Sequence, residues 1–334
     1  MGSAAPQVLD RLELISVEGA VPIPSFAEDV RCGLEAEPKC LPSKYFYDQI
    51  GSALFDTITL LPEYYLTRAE TAILREWGWE IVRALDGPIE FLELGSGSAI
   101  KTRILIEEAL RAQGSLRYNA IDISAETLRA SASALVAAYP KLSVTAYAGD
   151  YFAILGRSAL RRTHRVLAMF MGSNIGNYAP GQARRLLGGI ASSLKPRDGL
   201  LLGVDLKKDP RVLQAAYDDA IGVTAAFNKN LLARINRELG GTFDLAGFAH
   251  IARYEPEQSR VASYLESLQA QSVCIETLDL TVAFARNERM HTESSYKFSV
   301  DDIMRLAEAT GFTLSRSWSD KDQRFGVYLL LRNT

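Results

Sequence analysis

The chain has 334 residues, 48% apolar and 23% charged, a globular composition long enough for one large core or two modest ones. Its net charge of −3 provides no electrostatic footprint for nucleic acid or an anionic membrane, so neither is an expected partner. No apolar run reaches the length of a membrane span and no basic-then-apolar leader opens the sequence, which sets the expected location as cytoplasmic.

In chain order, two tyrosine-bearing segments come first: KYFYDQIGSALFDTI, with Tyr45 and Tyr47, and LPEYYLTRAE, with Tyr64 and Tyr65. Tyrosines of this kind ordinarily pack with the hydroxyl satisfied. From Glu90 to Asp205 apolar runs alternate with amphipathic segments, with strands near 90–94, 117–121, 143–148, 165–170 and 199–205. This alternation predicts a parallel, doubly wound sheet whose ligands bind at the carboxyl ends of the strands. A helix is expected over Ala99–Ala112, with Ile106, Ala109 and Leu110 at helical spacing and Gly114 as its stop. Helical text from Pro210 to Leu239 then gives way to FAHIARY, RVASYLES, SVCIETLDLTVAF and MHTESSYKF, which read as successive antiparallel strands. DDIMRLAEATGF and a strand pair reaching Leu331 return to complete the first sheet.

The remaining signals are mostly negative. Cys32, Cys40 and Cys274 fit reduced, mostly buried thiols, and His164, His250 and His291 have no partners at metal-ligand spacing, so no metal is expected. Arg161–Arg162 and Arg184–Arg185 read as solvated faces, and no G-x-S-x-G elbow supports a serine hydrolase.

The stretch FLELGSGSAIKTR is the informative one, because Gly95, Ser96 and Gly97 form a small-residue turn between a strand and a helix. A P-loop would need glycine where Ile100 stands, although Lys101 and Thr102 follow at the right distance and LLLGVD ends on Asp205, an acid suited to Mg²⁺. A dinucleotide fingerprint fails at Ile100 too. S-Adenosylmethionine needs only a tight turn and a carboxylate at the next strand end, since it carries no pyrophosphate. Asp122 closes the second strand, where it can accept from both ribose hydroxyls, and Asp150 follows the third, placed for an adenine amino group with Tyr151 beside the ring. Any one of these acids could equally be a solvated loop carboxylate or a helix cap.

Five segments in order, YFYD-x-x-GS-x-LF, LPEYY-x-TR-x-E, ELGSG, IGN and GVTAAFN, mark a resemblance from about Phe26 to the C-terminus. The chain resembles the histidine-specific, S-adenosylmethionine-dependent N-methyltransferases of ergothioneine biosynthesis, the dimethylhistidine N-methyltransferase type. The resemblance implies a Rossmann-like class I methyltransferase domain over 65–207, completed by 297–334. It also implies an α+β substrate-binding domain formed by 1–64 and an insertion over 208–296. It places the methyl donor on Gly95, Ser96, Gly97, Lys101, Asp122, Asp150 and Tyr151. It places Tyr64 and Asn177 at the substrate amine, Tyr217 at the carboxylate, and Glu293 and Ser295 at the imidazole with Tyr47 nearby. Independently, residues two apart on a strand share a face, so Glu293 and Ser295 can address one ring together, although the same pair would suit an exposed edge strand.

The implied activity is transfer of up to three methyl groups to the α-amine of histidine, giving hercynine, by a monomer acting on a small amino acid. Two positions depart from the family pattern, Ser263 where methionine is expected and Asn174 where a small hydroxyl residue is usual, and both are candidates to line the substrate cavity. They motivate another aromatic amino acid or amine as an alternative substrate. A non-catalytic S-adenosylmethionine-binding sensor is the alternative from another class.

Overall fold

The computed structural model describes residues 11–16, 25–149, 151–155 and 162–334. The chain opens with β1 (Leu12–Ser16), α1 (Phe26–Glu35), α2 (Gln49–Ile58) and α3 (Leu66–Val82). The alternating unit follows as β2 (Ile89–Leu94), α4 (Thr102–Gln113), β3 (Leu116–Asp122), α5 (Ala125–Ala138), β4 (Leu142–Ala148), α6 (Tyr151–Leu155), β5 (Arg165–Phe170), α7 (Pro180–Ser193) and β6 (Gly199–Asp205). Helices α8 (Pro210–Ala215) and α9 (Val223–Leu239) lead to β7 (Phe248–Glu255), β8 (Arg260–Ser267), β9 (Gln271–Ile275), β10 (Leu280–Phe284) and β11 (Arg289–Tyr296). The chain closes with α10 (Val300–Glu308), β12 (Phe312–Ser319) and β13 (Phe325–Arg332).

Eight strands form one sheet in the order β1-β4-β3-β2-β5-β6-β13-β12. The pairs from β1 to β6 are parallel, and β13 joins β6 antiparallel with Phe325 opposite Asp205. β2 is buried at every residue, as a central parallel strand covered on both faces must be. Successive side chains of β5 serve opposite cores: Leu167 and Met169 pack with α3, α4 and α5, whereas Val166, Ala168 and Phe170 pack with α7 and α10. Strand order reverses between β2 and β5, and the crevice beyond their carboxyl ends is where such sheets bind ligands. This is the parallel, doubly wound arrangement expected from the alternation, and the Rossmann-like one that the resemblance implies.

Several expectations need correction. β1 lies in the N-terminal stretch assigned to the substrate domain, yet it pairs with β4 at the edge of the large sheet. SVCIETLDLTVAF is a two-stranded hairpin, β9 with β10, separate from the three-stranded sheet β11-β8-β7. The helical text from Pro210 is interrupted because Asp219 caps a new helix, accepting from the N–H groups of Val223 (2.9 Å) and Thr224 (2.7 Å) after Gly222 turns with φ +81°. All three cysteines are exposed. Arg162 is not a solvated residue but donates to Asp198 (3.3 Å) and to the Ser193 carbonyl; Arg161 lies outside the described residues. No helix among the described residues is long and apolar enough to cross a membrane.

Candidate active site

The turn after β2 is left-handed at Gly95 (φ +73°), Gly97 (φ +48°) and Ala99 (φ +53°). That backbone delays α4 to Thr102, three residues beyond the expected start, and Gly114 ends it with φ +80°. The Gly97 N–H donates to Asp122 Oδ2 and the Ser124 N–H to Oδ1, both at 2.9 Å. Each oxygen retains acceptor capacity for a hydroxyl. Ser96 is buried beneath the turn, its N–H on the Ile121 carbonyl (3.3 Å), so it supports the loop from below. A Cβ on Gly95 would stand 3.0 Å from the Tyr151 hydroxyl and 3.4 Å from Asn174 Nδ2. The turn, Tyr151 and Asn174 therefore meet at one place at the switch point. Glycine turn, carboxylate and ring together suit a nucleoside-bearing donor; Asp150 lies outside the described residues.

Lys101 is fixed by Glu70 of α3, a fully buried carboxylate that also accepts from the Gly172 N–H at 2.9 and 3.1 Å. One side chain thus ties the turn after β2 to the turn after β5. This occupation of Lys101, with the burial of Asp205 among lysines, removes the features that favoured a P-loop.

Beyond β5, Ser173 adopts φ +59° and a short 3₁₀ turn spans Asn174–Asn177. Gly176 lets that turn lie against β11, because a Cβ there would sit 2.8 Å from the Tyr296 carbonyl. Asn174, Asn177, Tyr47, Tyr64, Tyr217, Glu293 and Ser295 consequently line a single cavity. Its walls are aromatic: Tyr47 and Phe55 centroids are 5.5 Å apart, Phe55 and Tyr64 6.0 Å, and Tyr64 and Tyr217 6.3 Å. Tyr47 is half-exposed and lines the cavity, and burial raises the pKa of its hydroxyl.

Glu293 and Ser295 share this cavity although β11 is an edge strand, so the pair is not an exposed edge feature. Burial lifts Glu293 to about 7, with Lys297 pulling the other way. Ser263 does not line the cavity wall with the others; it is buried on β8 directly opposite Glu293 across the strand pair. Opposed residues lie on the same face, so Ser263 backs the ring end.

Four participants were not anticipated. Phe55 and Phe227 complete the aromatic wall, Glu70 is the final acid of LPEYYLTRAE, and Lys297 continues the two-residue alternation of Glu293 and Ser295. That period was the available signal for Lys297. Lys297 is fully buried, donates to Ser295 Oγ (2.8 Å) and Tyr217 Oη (2.9 Å), and pairs with Asp205 Oδ2 at 2.8 Å. Asp205 is also bound by Tyr65 (2.7 Å) and Lys208 (2.5 Å). Burial works against charge on Asp205, yet the two lysines hold its pKa below the usual carboxylate range.

A larger cleft of about 360 Å³ lies at the opposite, amino ends of β5 and β6, lined by Asp86, Arg165, Arg197 and Arg332. Its Arg332 is spent on the carbonyls of Ala191 and Gly311, and none of the chemistry above reaches it. Among the described residues no three His, Cys, Asp or Glu are grouped to hold a metal.

The family described as "Histidine-specific methyltransferase, SAM-dependent" matches residues 26–332. The chain belongs to that family. It is 45% identical over 305 residues to a histidine N-alpha-methyltransferase of Mycolicibacterium smegmatis, covering 91% of this chain and 94% of the relative. The corresponding protein of Mycobacterium tuberculosis is 44% identical over 302 residues, covering 90% of this chain and 93% of that one. Ergothioneine biosynthesis protein 1 of Neurospora crassa is 29% identical over 303 residues, which is 89% of this chain but 33% of that longer protein. This is therefore an S-adenosylmethionine-dependent methyltransferase.

Proposed function

We propose that this methyltransferase acts on the α-amine of L-histidine, carrying it up to the trimethyl betaine, hercynine. The observation that carries the reading is the pairing of Glu293 with Ser295 at one end of an aromatic cavity whose other wall adjoins the donor turn. A carboxylate and a hydroxyl side by side match the two nitrogens of imidazole, whereas phenyl would leave both buried groups unpaired. The names borne by the mycobacterial relatives support the same substrate.

S-Adenosylmethionine supplies an electrophilic methyl on a sulfonium; the amine nitrogen forms the new N–C bond as the C–S bond breaks. Asn177 and Tyr64 hold the amine with its lone pair towards the donor, so orientation supplies most of the acceleration. The proton released from nitrogen passes to water. Tyr64, with the aromatic lining beside it, suits the growing ammonium through cation–π attraction, which permits successive transfers. The resemblance assigns Tyr217 to the carboxylate, while the geometry ties its hydroxyl to Ser295 at 2.7 Å. We assign the methyltransferase domain to 65–207 with 297–334, and the substrate-binding domain to 208–296 with the N-terminal segments that follow β1, Asn174 and Asn177 reaching the cavity from the former. We take the acting form to be a monomer, and a free amino acid as substrate suits a cytoplasmic location.

Mass spectrometry of the purified protein with S-adenosylmethionine and a panel of amino acids tests this. Gains of one to three methyl units on histidine are expected; methylation of another aromatic amino acid with none on histidine would overturn the substrate and shift attention to Ser263 and Asn174. Tight donor binding without turnover on any amine would instead identify a sensor.

Glu293 also sets a pH dependence. Its accepting form is the carboxylate, present above about 7 and lost below it, so histidine affinity should fall on acidification through that value. The imidazole gains its own proton in the same direction. Comparison with Glu293→Gln, which retains only the ligand's titration, separates the two; identical profiles would exclude Glu293 from the dependence.

A further inference from the structure

Lys297 has no part in the reaction as described, yet a fully buried ammonium among the groups that face the ring must be doing something. An ammonium only donates. Ser295 Oγ and Tyr217 Oη therefore both accept from it, at 2.8 and 2.9 Å. The two hydroxyl oxygens are themselves 2.7 Å apart, so one hydroxyl hydrogen is used between them and one is left for the cavity. A phenol is the stronger acid of the two and donates to the alcohol. Ser295 then has both lone pairs filled, by Lys297 and Tyr217, and can meet the substrate only as a donor.

Resting on the histidine reading above, we propose that Lys297 is a positioning residue that fixes the direction of hydrogen bonding at the ring: Ser295 donates, Glu293 accepts, and the cavity selects neutral imidazole in one tautomer. That polarity explains how the pocket rejects indole, phenol and phenyl, none of which offers both a ring N–H and a ring lone pair. It also gives the Asp205 cluster a purpose. Asp205 and Tyr217 outweigh burial and keep Lys297 protonated, with its pKa raised. Lys208 and Tyr65 hold Asp205 from the other side, at 2.5 and 2.7 Å.

Lys297→Met removes the donors while preserving chain length, and Asp205 keeps Lys208 and Tyr65 as partners. The expected result is a rise of about tenfold to a hundredfold in KM for histidine, with donor affinity unchanged. The acid limb of histidine binding should also move to higher pH. The groups facing Glu293 are Lys297 on its own strand, Ser263 across the strand pair, and Tyr47, Tyr64 and Tyr217 from the other walls. The tyrosines are neutral, their pKa values raised by burial, so Lys297 is the charge whose loss leaves Glu293 protonated to higher pH. A role confined to packing would not move that limb, and an unmoved limb with unchanged KM overturns the proposal.

If Lys297→Met does not fold, the unaltered enzyme still decides. Nitrogen NMR of bound histidine labelled at both ring nitrogens should show one protonated and one bare nitrogen. Two protonated nitrogens would mean that Ser295 accepts and Tyr217 turns its hydrogen to the carboxylate, overturning this polarity while leaving histidine as substrate. Absence of histidine binding by the unaltered enzyme would overturn the substrate reading and this proposal together.

Discussion

Replacing Glu70 with alanine is expected to abolish tight donor binding and most turnover, the largest single effect among the residues that do not line the cavity. The carboxylate is fully buried and is the ion partner of Lys101, which stands at the head of α4. Removing Glu70 strands Lys101, whose side chain is 24% exposed and so partly hydrated, and the loss falls below the about 3–5 kcal/mol of a fully buried pair. The Gly172 N–H, which is partly buried, loses its acceptor in the same step, a further cost below the about 1–3 kcal/mol of a fully buried unsatisfied donor. Gly203 shows how closely the fold is built around this carboxylate, because a Cβ there would lie 2.2 Å from Glu70 Oε1. Since the two turns tied by Glu70 carry donor and acceptor groups respectively, their separation should drift when it is lost, and a small misplacement of reacting atoms is costly. Calorimetric titration with S-adenosylmethionine and thermal unfolding read the two consequences separately. Glu70→Gln keeps an acceptor for Gly172 but no charge for Lys101, so it should fall between wild type and alanine. Wild-type donor affinity in the alanine variant would show that Lys101 needs no such anchor.

Glu293→Ala should act on the other substrate. With the carboxylate gone, the imidazole N–H has no acceptor at the end of the cavity, and a charge-assisted hydrogen bond of about 1.5–3 kcal/mol is forfeited. Histidine affinity is expected to fall by roughly tenfold to a hundredfold, while S-adenosylmethionine binds as before. The separation of effects follows from position: Glu293 lies on β11 with Ser295, and the donor turn lies after β2. Relative activity on phenylalanine should rise, because the hollow left by the side chain no longer penalises an apolar ring. Unchanged histidine turnover would remove Glu293 from the ring-binding role and leave Ser295 without its partner.

Much of this was legible along the chain because the signals are local. An apolar run such as LLLGV reads as a strand covered on both faces, and the interval from Gly95 to Asp122 is set by one helix and one strand. β6 was placed to the residue, and α4 ended at Gly114 because a left-handed stop is a property of glycine itself. The boundaries that failed were decided by backbone conformation away from glycine or by distant partners. Ala99 turns left-handed against its own preference and so delays α4, and no local pattern marks that choice. β1 is short and isolated in sequence, and only its pairing with β4 makes it a strand.

The sequence by itself determined the parallel sheet, the glycine turn with Asp122 behind it, and the placing of Glu293 and Ser295 on one face, since each depends on spacing along a single element. Only the tertiary structure showed which acids serve as braces. Along the chain Glu70 carries no signal of its own and Asp205 reads as an acid suited to Mg²⁺, until α3, β6 and β11 bring Lys101, Lys208 and Lys297 to them. Burial then gives each pair a meaning that neither residue has alone, because a charge removed from water must be matched where the fold puts it.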